Sequence, residues 1–312
     1  MAILCFLYFF AVATCLGIAG LLVEHALPAT ASRRWVWCVV ILASVVVPIL
    51  FSLHRSAPVI EIWGYTLLHI PTRHAMGATS HGSSALAWFD CSRATYGKFL
   101  LQFSSVWTVV LVLWAVVSNL RAWYLIRRAR ASREGGRPTE VDGVPVVVTE
   151  SLGPATIGLL RARVLLPRWV IAMPAVQRRY VVRHEDEHRK ARDPLLLGAA
   201  SILVALLAWN LPLWWQLRRL GLAIETDCDR RVVRALGGEA EYGNLLFTVA
   251  QAANRAPLLL QPALLGRSGM LERRLTLLLD AAPRSTMLRW LAPVLAGALV
   301  YLVLSIPHPI PG

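Results

Sequence analysis

The sequence predicts a mainly α-helical integral membrane protein, with four transmembrane helices and an α+β domain inserted between the third and the fourth. Three observations lead there. The 312 residues are 56% hydrophobic and only 16% charged, with a mean hydropathy of +0.55, too apolar for an ordinary soluble domain. Four uncharged stretches have roughly the length of a bilayer core. The long segment between the third and the fourth is instead charged, with β-like runs followed by helical ones.

The first stretch, Ala2 to Val23, is 22 residues long. No Lys or Arg precedes it, so it reads as a retained span rather than a cleavable signal, despite the small-x-small Ala29-Thr30-Ala31. Trp35 to Leu53, Phe99 to Leu120 and the shorter, Pro293-containing Leu291 to Ile306 follow. Arg33 and Arg34 place the first connection in the cytoplasm, and the longer, mixed-charge loop from His54 to Lys98 falls outside. Arg121, Arg127, Arg128, Arg130 and Arg133 then follow the third span, and residues 127–287 hold 24 Arg plus Lys against 15 Asp plus Glu. The expected layout is a multi-pass protein of the inner (cytoplasmic) membrane with both termini outside. A membrane domain covers 1–126, a cytoplasmic domain 127–287, and the fourth helix with a short tail 288–312.

The lipid bilayer is therefore the first partner. The formal charge of +14 does not point to direct nucleic-acid binding, because the arginines crowd the ends of apolar segments instead of forming a groove-sized patch. Cys5, Cys15, Cys38, Cys91 and Cys228 have no regular spacing and no CxxC pair, so neither a disulfide framework nor a thiolate zinc site is indicated. His69, His74 and His81 read as outer-loop residues, and Trp35, Trp123 and Trp290 as interfacial anchors.

In the inserted domain, Arg133 to Gly143 suits a linker and turn. Val144 to Thr149 is β-branched, with an early Pro145 that suits the first residues of a strand or a sheet edge. Arg163 to Leu166 is a second β-like run ending at Pro167, so a small sheet or hairpin is expected. Pro174 to Arg192 is helical and Asp193-Pro194 breaks it. Leu195 to Trp215 carries no charge and is interrupted at Asn210 to Pro212. Leu217 to Leu236, closed by Gly237-Gly238, and Glu241 to Arg255 read as two further helices.

His184-Glu185-Asp186-Glu187-His188 is an HExxH sequence on the first of these helices. Residues four apart share a helix face, so both imidazoles can reach one Zn2+ ion, and Glu185 sits close enough to act as general base on its water. The bland alternative is a solvated helix with two unrelated histidines. Further on, Glu225 and Asp229 share a face by the same spacing. One can complete the zinc site while the other orients a ligand histidine through its second nitrogen. Alone they would read as an acidic turn of a surface helix. Tyr242, Arg230 and Arg234 are candidate oxyanion donors, Tyr242 foremost.

Taken together, His184 to His188, Asp193-Pro194, Trp209-Asn210-Leu211-Pro212 and Glu225 to Asp229 resemble the BlaR/MecR-type antirepressor membrane metallopeptidases. Gly158-Leu159-Leu160, Val164-Leu165-Leu166-Pro167 and Glu241-Tyr242 extend the likeness over most of the chain. The resemblance implies a gluzincin-like domain with zinc on His184, His188 and Glu225, general base Glu185, a supporting role for Asp229, and a packing role for Cys228. The departure is at the end: the chain stops at Gly312 without the penicillin-binding sensor domain of β-lactam-sensing members, so direct antibiotic sensing is not expected.

The implied function is a membrane zinc metalloendopeptidase that hydrolyses peptide bonds of a cytoplasmic protein, a transcriptional repressor of the BlaI type, with a homodimer among its admissible assemblies. Two alternatives stay open: a quality-control protease of the HtpX type, and a non-catalytic zinc-binding transducer. The β-runs near Val146 or Val164 are the expected edge for a substrate strand. For Glu225 to meet the histidines, Leu195 to Trp215 must double back or lie buried against the other spans.

Overall fold

The computed structural model describes residues 2–28, 31–53, 61–62, 65–66, 139–149, 153–159, 161–253, 267–279 and 286–305, with scattered positions from 102 to 120. The expected third span, most of the 54–98 loop with its three histidines, and Trp123 lie largely or wholly outside these residues. Helix α1 (Ala2–Ala26) carries no charged residue before Glu24 and is apolar around its circumference up to Val23, the composition of a helix surrounded by lipid or protein. Its stretch Phe6–Ala26 is long and apolar enough to cross a bilayer, the one such helix among the described residues. Helices α2 (Arg34–Leu53) and α9 (Thr286–Ser305), each of 20 residues, hold the shorter apolar runs Arg34–Leu50 and Trp290–Val303. Both pack against α1, and α2 also packs on α6. The described residues thus hold one helix long and apolar enough to span, with three shorter apolar runs, Arg34–Leu50, Trp290–Val303 and Asp193–Leu206.

The inserted region combines helices with a mixed sheet. Strands β1 (Glu61–Ile62) and β2 (Tyr65–Thr66) form a minimal antiparallel pair elsewhere in the chain. The main sheet is built from β3 (Thr139–Val141), β4 (Val144–Thr149), β5 (Ala155–Ile157) and β6 (Arg163–Pro167), in the order β3-β4-β6-β5. The β3–β4 turn carries Asp142 and Gly143, both at positive φ, a conformation that short polar residues and glycine tolerate. Strands β4 and β6 pair in parallel and occupy the middle of the sheet, where Val146 and Val164 are fully buried. The substrate edge expected near those two residues is therefore not there: both strands are paired on both sides, and the edges belong to β3 and β5. Pro145 is compatible with the middle strand because it precedes the β4–β6 register, which begins at Val146.

After a short α3 (Arg168–Ile171), α4 (Ala175–Ala191) starts behind Pro174 and stops at Arg192, whose left-handed backbone (φ 55°) turns the chain directly into α5 (Asp193–Leu206). Helix α5 ends before a tight turn, and α6 (Leu211–Leu236) begins after Asn210, with Pro212 in its first turn where the missing N–H costs nothing. Asn210 is fully buried, and its Nδ2 donates to the Phe9 carbonyl at 3.2 Å. Residues 195–215 are thus not one crossing but a helical hairpin that doubles back. Helices α7 (Glu239–Ala253) and α8 (Arg267–Leu279) complete the described elements; the sequence reading had no helix at α8.

Helix α6 belongs to two cores. Its first half, from Leu213 to Ile224, packs with Val12, Leu16, Trp37 and Ile41 of α1 and α2. Its second half, through Cys228 and Val232, packs with Val164, Leu166, Val182 and Tyr242 around the sheet. Close approach to α1 is enforced at Gly17, where a Cβ would stand 2.6 Å from the Trp215 ring. Some polar groups cross the first core: Gln216 Nε2 donates to the Ala13 carbonyl at 2.8 Å and meets Ser44 Oγ at 3.1 Å. Glu24 accepts from Trp37 Nε1 at 3.0 Å and from Arg219 at 2.6 Å. Truncating Glu24 strands the Arg219 guanidinium, so Glu24→Ala is expected to destabilise the detergent-solubilised chain by about 3–5 kcal/mol, read as a loss of Tm. An unchanged Tm would show that this pair does not hold α1, α2 and α6 together.

Candidate metal centre

The two cores meet where α4 packs on α6, and there the sequence-predicted residues come together. His184, Glu185 and His188 lie on α4, and Glu225, Cys228 and Asp229 on α6. Glu185, Asp186, Glu187 and His188 are all buried, which removes the solvated-helix alternative. The turn at Asn210 returns Glu225 to the histidines. His184 Nε2 and His188 Nε2 face each other at 3.1 Å, and Glu225 places one carboxylate oxygen 3.7 Å from each. Two donors on a tetrahedral zinc, with bonds of about 2.0–2.1 Å, stand about 3.3 Å apart. The two nitrogens and the two carboxylate oxygens are therefore spaced close to what a zinc ion requires, with imidazole and carboxylate donors of the kind zinc accepts.

Cys228 is also close: ligand-capable atoms of His184, His188 and Cys228 lie within 4.8 Å of one another. Its Sγ contacts His184 on the far side of the ring, 3.4 Å from Nδ1 and 3.4 Å from the His184 carbonyl. The Nε2 pair opens towards Glu225 instead. Cys228 is buried in the second core; burial would raise its thiol, but His184 and His188 outweigh it and hold the thiol below its ordinary value.

Both imidazoles are fixed through their other nitrogen. His188 Nδ1 meets Asp193 Oδ2 at 2.8 Å. His184 Nδ1 meets the Tyr242 hydroxyl oxygen at 2.9 Å, and that hydroxyl donates to Asp229 Oδ1 at 2.8 Å. Asp229 itself is 3.4 Å from His184 Nδ1, so it supports the ring chiefly through Tyr242. Arg274 of α8 clamps this arrangement, with NH2 2.7 Å from Asp229 Oδ1 and NH1 2.9 Å from Glu225 Oε2. Burial alone would raise the Glu225 carboxyl, but Arg274 and the two imidazoles outweigh it and hold Glu225 well below the usual carboxylate range. Burial would lower the Arg274 guanidinium, and Asp229 with Glu225 reverse that. Burial, then Asp229, push the Tyr242 phenol well above its ordinary value. Such outer partners set ring orientation and ligand basicity.

Glu185 points to the sheet. Thr156 of edge strand β5 stands 2.9 Å from Glu185 Oε2 and 2.7 Å from the Glu185 carbonyl. Among the other oxyanion candidates, Arg230 is engaged with Asp227 and the Ala31 carbonyl. Four residues beside the centre are not predicted as site residues from sequence: Asp193, which marks a helix break and one segment of the family likeness, Thr156, Arg274 and Arg34. Only Asp193 carried a usable signal, an acid five residues beyond the second histidine at a helix start.

A family model described as BlaR1 peptidase M56 matches residues 8–278, which takes in every residue of the centre. No curated protein matches the chain. The family match and the histidine cluster make this chain a zinc-dependent metallopeptidase of the HExxH type, with Zn2+ as its cofactor. If Tyr242 positions His184, Tyr242→Phe weakens zinc binding by about 10-fold or more, measured by competition with a chromogenic chelator. An oxyanion donor would instead lose about 10²–10³ in kcat with zinc affinity unchanged.

Proposed function

Because the chain belongs to the BlaR1 peptidase M56 family, we propose that it is a membrane-embedded endopeptidase that cuts a cytoplasmic protein, a transcriptional repressor of the BlaI type, within a signalling pathway. The observation that carries this reading is the meeting of His184, His188 and Glu225 at one point with Glu185 beside them. His184 and His188 through Nε2, and Glu225 through its carboxylate, would hold the zinc. When bound, zinc supplies Lewis acidity to the scissile carbonyl and makes water acidic enough to be deprotonated near neutral pH.

The remaining chemistry belongs to the chain. Glu185 accepts the proton of the attacking water and returns it to the leaving amine. Thr156 keeps that carboxylate in place from β5. The outer side of β5 pairs with no strand among the described residues, which supports β5 as the edge that takes an extended peptide beside Glu185. Tyr242, on the Nδ1 side of His184 with its one proton committed to Asp229, serves as a positioning residue in this reading.

The same contacts support a reading of location. The α1–α2 connection touches Asp227 and Asp193 next to the centre, so connection and centre share one side of the bilayer. Arg33 and Arg34 argue that this side is the cytoplasm. The outward apolar faces of α2 and α9, with Val39 64%, Leu42 51%, Val294 67% and Tyr301 71% exposed, support embedding of both beside α1. Both termini then lie outside, and a homodimer is admitted.

Membranes carrying the wild-type chain and Glu185→Gln separate this reading from a non-catalytic transducer. Both bind zinc, and only the wild type produces a new N-terminus in a DNA-binding repressor, found by terminal proteomics of the cytoplasm. Cleavage of misfolded membrane proteins in place of a repressor would favour quality control, and equal cleavage by both proteins would exclude Glu185 as the base.

A further inference from the structure

Asp193 holds His188, and something must hold Asp193. Its two carboxylate oxygens are divided: Oδ2 takes His188 Nδ1 at 2.8 Å, and Oδ1 takes Arg34 NH1 at 2.8 Å. The nearest other cation, Arg231, is 3.6 Å from Oδ2, too far for a good hydrogen bond. Asp193 is only 4% exposed, so water cannot replace a missing partner. Rotation of its carboxylate is therefore set by one donor on each oxygen, and the outer donor comes from the first residue of α2, 159 positions away in sequence.

Arg34 is itself held. Its guanidinium lies 5.4 Å from the Trp35 ring centroid. Its backbone N–H donates to Asp227 Oδ2 at 3.2 Å, and Ser32 Oγ donates to the same oxygen at 2.7 Å. Asp227 lies two residues from Glu225 on α6. The short α1–α2 connection thus grips both helices that supply the ligands, α4 through Asp193 at the α4–α5 joint and α6 through Asp227.

We infer that Arg34, in the connection between the two N-terminal apolar helices, is a positioning residue of the zinc centre that acts through Asp193 on His188, so that the membrane hairpin is part of the support of the site. The inference rests on His188 being a zinc ligand, as proposed above. Losing the cation leaves Asp193 free to rotate away from His188, and the imidazole loses its orientation.

The test is zinc affinity of the full chain in detergent, measured by chelator competition together with Tm. Arg34→Gln is expected to weaken zinc binding about 10- to 100-fold, the range for loss of an outer partner. Arg34→Lys, which keeps the charge but not the reach, loses less, about threefold or more. In an Asp193→Asn background neither substitution weakens zinc further, because the route is already cut. Zinc affinity within about twofold of wild type for Arg34→Gln, with or without a lowered Tm, overturns the proposal. If Arg34→Gln does not fold, Arg34→Lys decides: a loss that disappears in the Asp193→Asn background supports the inference, and no loss, or an equal loss in both backgrounds, overturns it. His188→Ala separates the two readings. If it leaves zinc affinity intact, the ligand assignment fails; if it abolishes binding while Arg34→Gln does not weaken it, only the present inference fails.

Discussion

Six carboxylates are buried around the contact of α4 with α6: Glu185, Asp186, Glu187, Asp193, Asp227 and Asp229. Placing so many ionisable groups away from water is costly unless each one is hydrogen-bonded or paired. Each is. Asp186 has Arg189 and Lys190, Glu187 has Arg183 and Arg231, and Asp227 has Arg230 with the start of α2. Asp229 has Arg274 and Tyr242, Asp193 has Arg34 and His188, and Glu185 has Thr156. Because a buried pair is far more costly to break than to omit, the pairings that cross between helices help to fix how α2, α4, α5, α6, α7 and α8 sit relative to one another. The metal centre is the point at which those elements converge.

Helix α6 shows how the convergence is reached. It is one uninterrupted helix whose first half is buried among apolar helices and whose second half is buried against the sheet. A single element that belongs to both cores makes the position of Glu225 depend on the membrane-side packing as much as on the sheet. The connection at Ser32 to Arg34 repeats this arrangement from the other direction. Arg33 and Arg34 read in sequence as topology signals, and Arg34 also donates to a carboxylate that holds a ligand histidine. A charge that orients a hairpin in the bilayer and then forms a buried ion pair can do both, because the two tasks are met at different atoms and stages.

What was legible in the sequence followed from periodicity and spacing. The four-residue interval in His184 to His188, and again in Glu225 to Asp229, put the right groups on one face of each helix, and Asn210 to Pro212 marked the reversal that brings the helices together. Val144 to Thr149 and Arg163 to Pro167 were visible as strands. Their place in the middle of the sheet was not, because pairing order is a long-range property that β-propensity does not encode. Arg34 and Arg274 were illegible as site residues for the same reason: one arginine among 32 Lys plus Arg acquires its meaning only from a partner far away in sequence. Asp193 looked like a helix break because it starts α5. That position is also what brings its carboxylate back to His188.

Zinc-edge X-ray absorption on the purified, metal-loaded chain tests most directly whether one ion is held by two imidazoles and Glu225. The account predicts a shell of nitrogen and oxygen at about 2.0–2.1 Å with imidazole outer-shell scattering from two rings, and no sulfur. A zinc–sulfur distance of about 2.3 Å would place Cys228 in the coordination sphere and contradict the assignment of Glu225 as the third ligand.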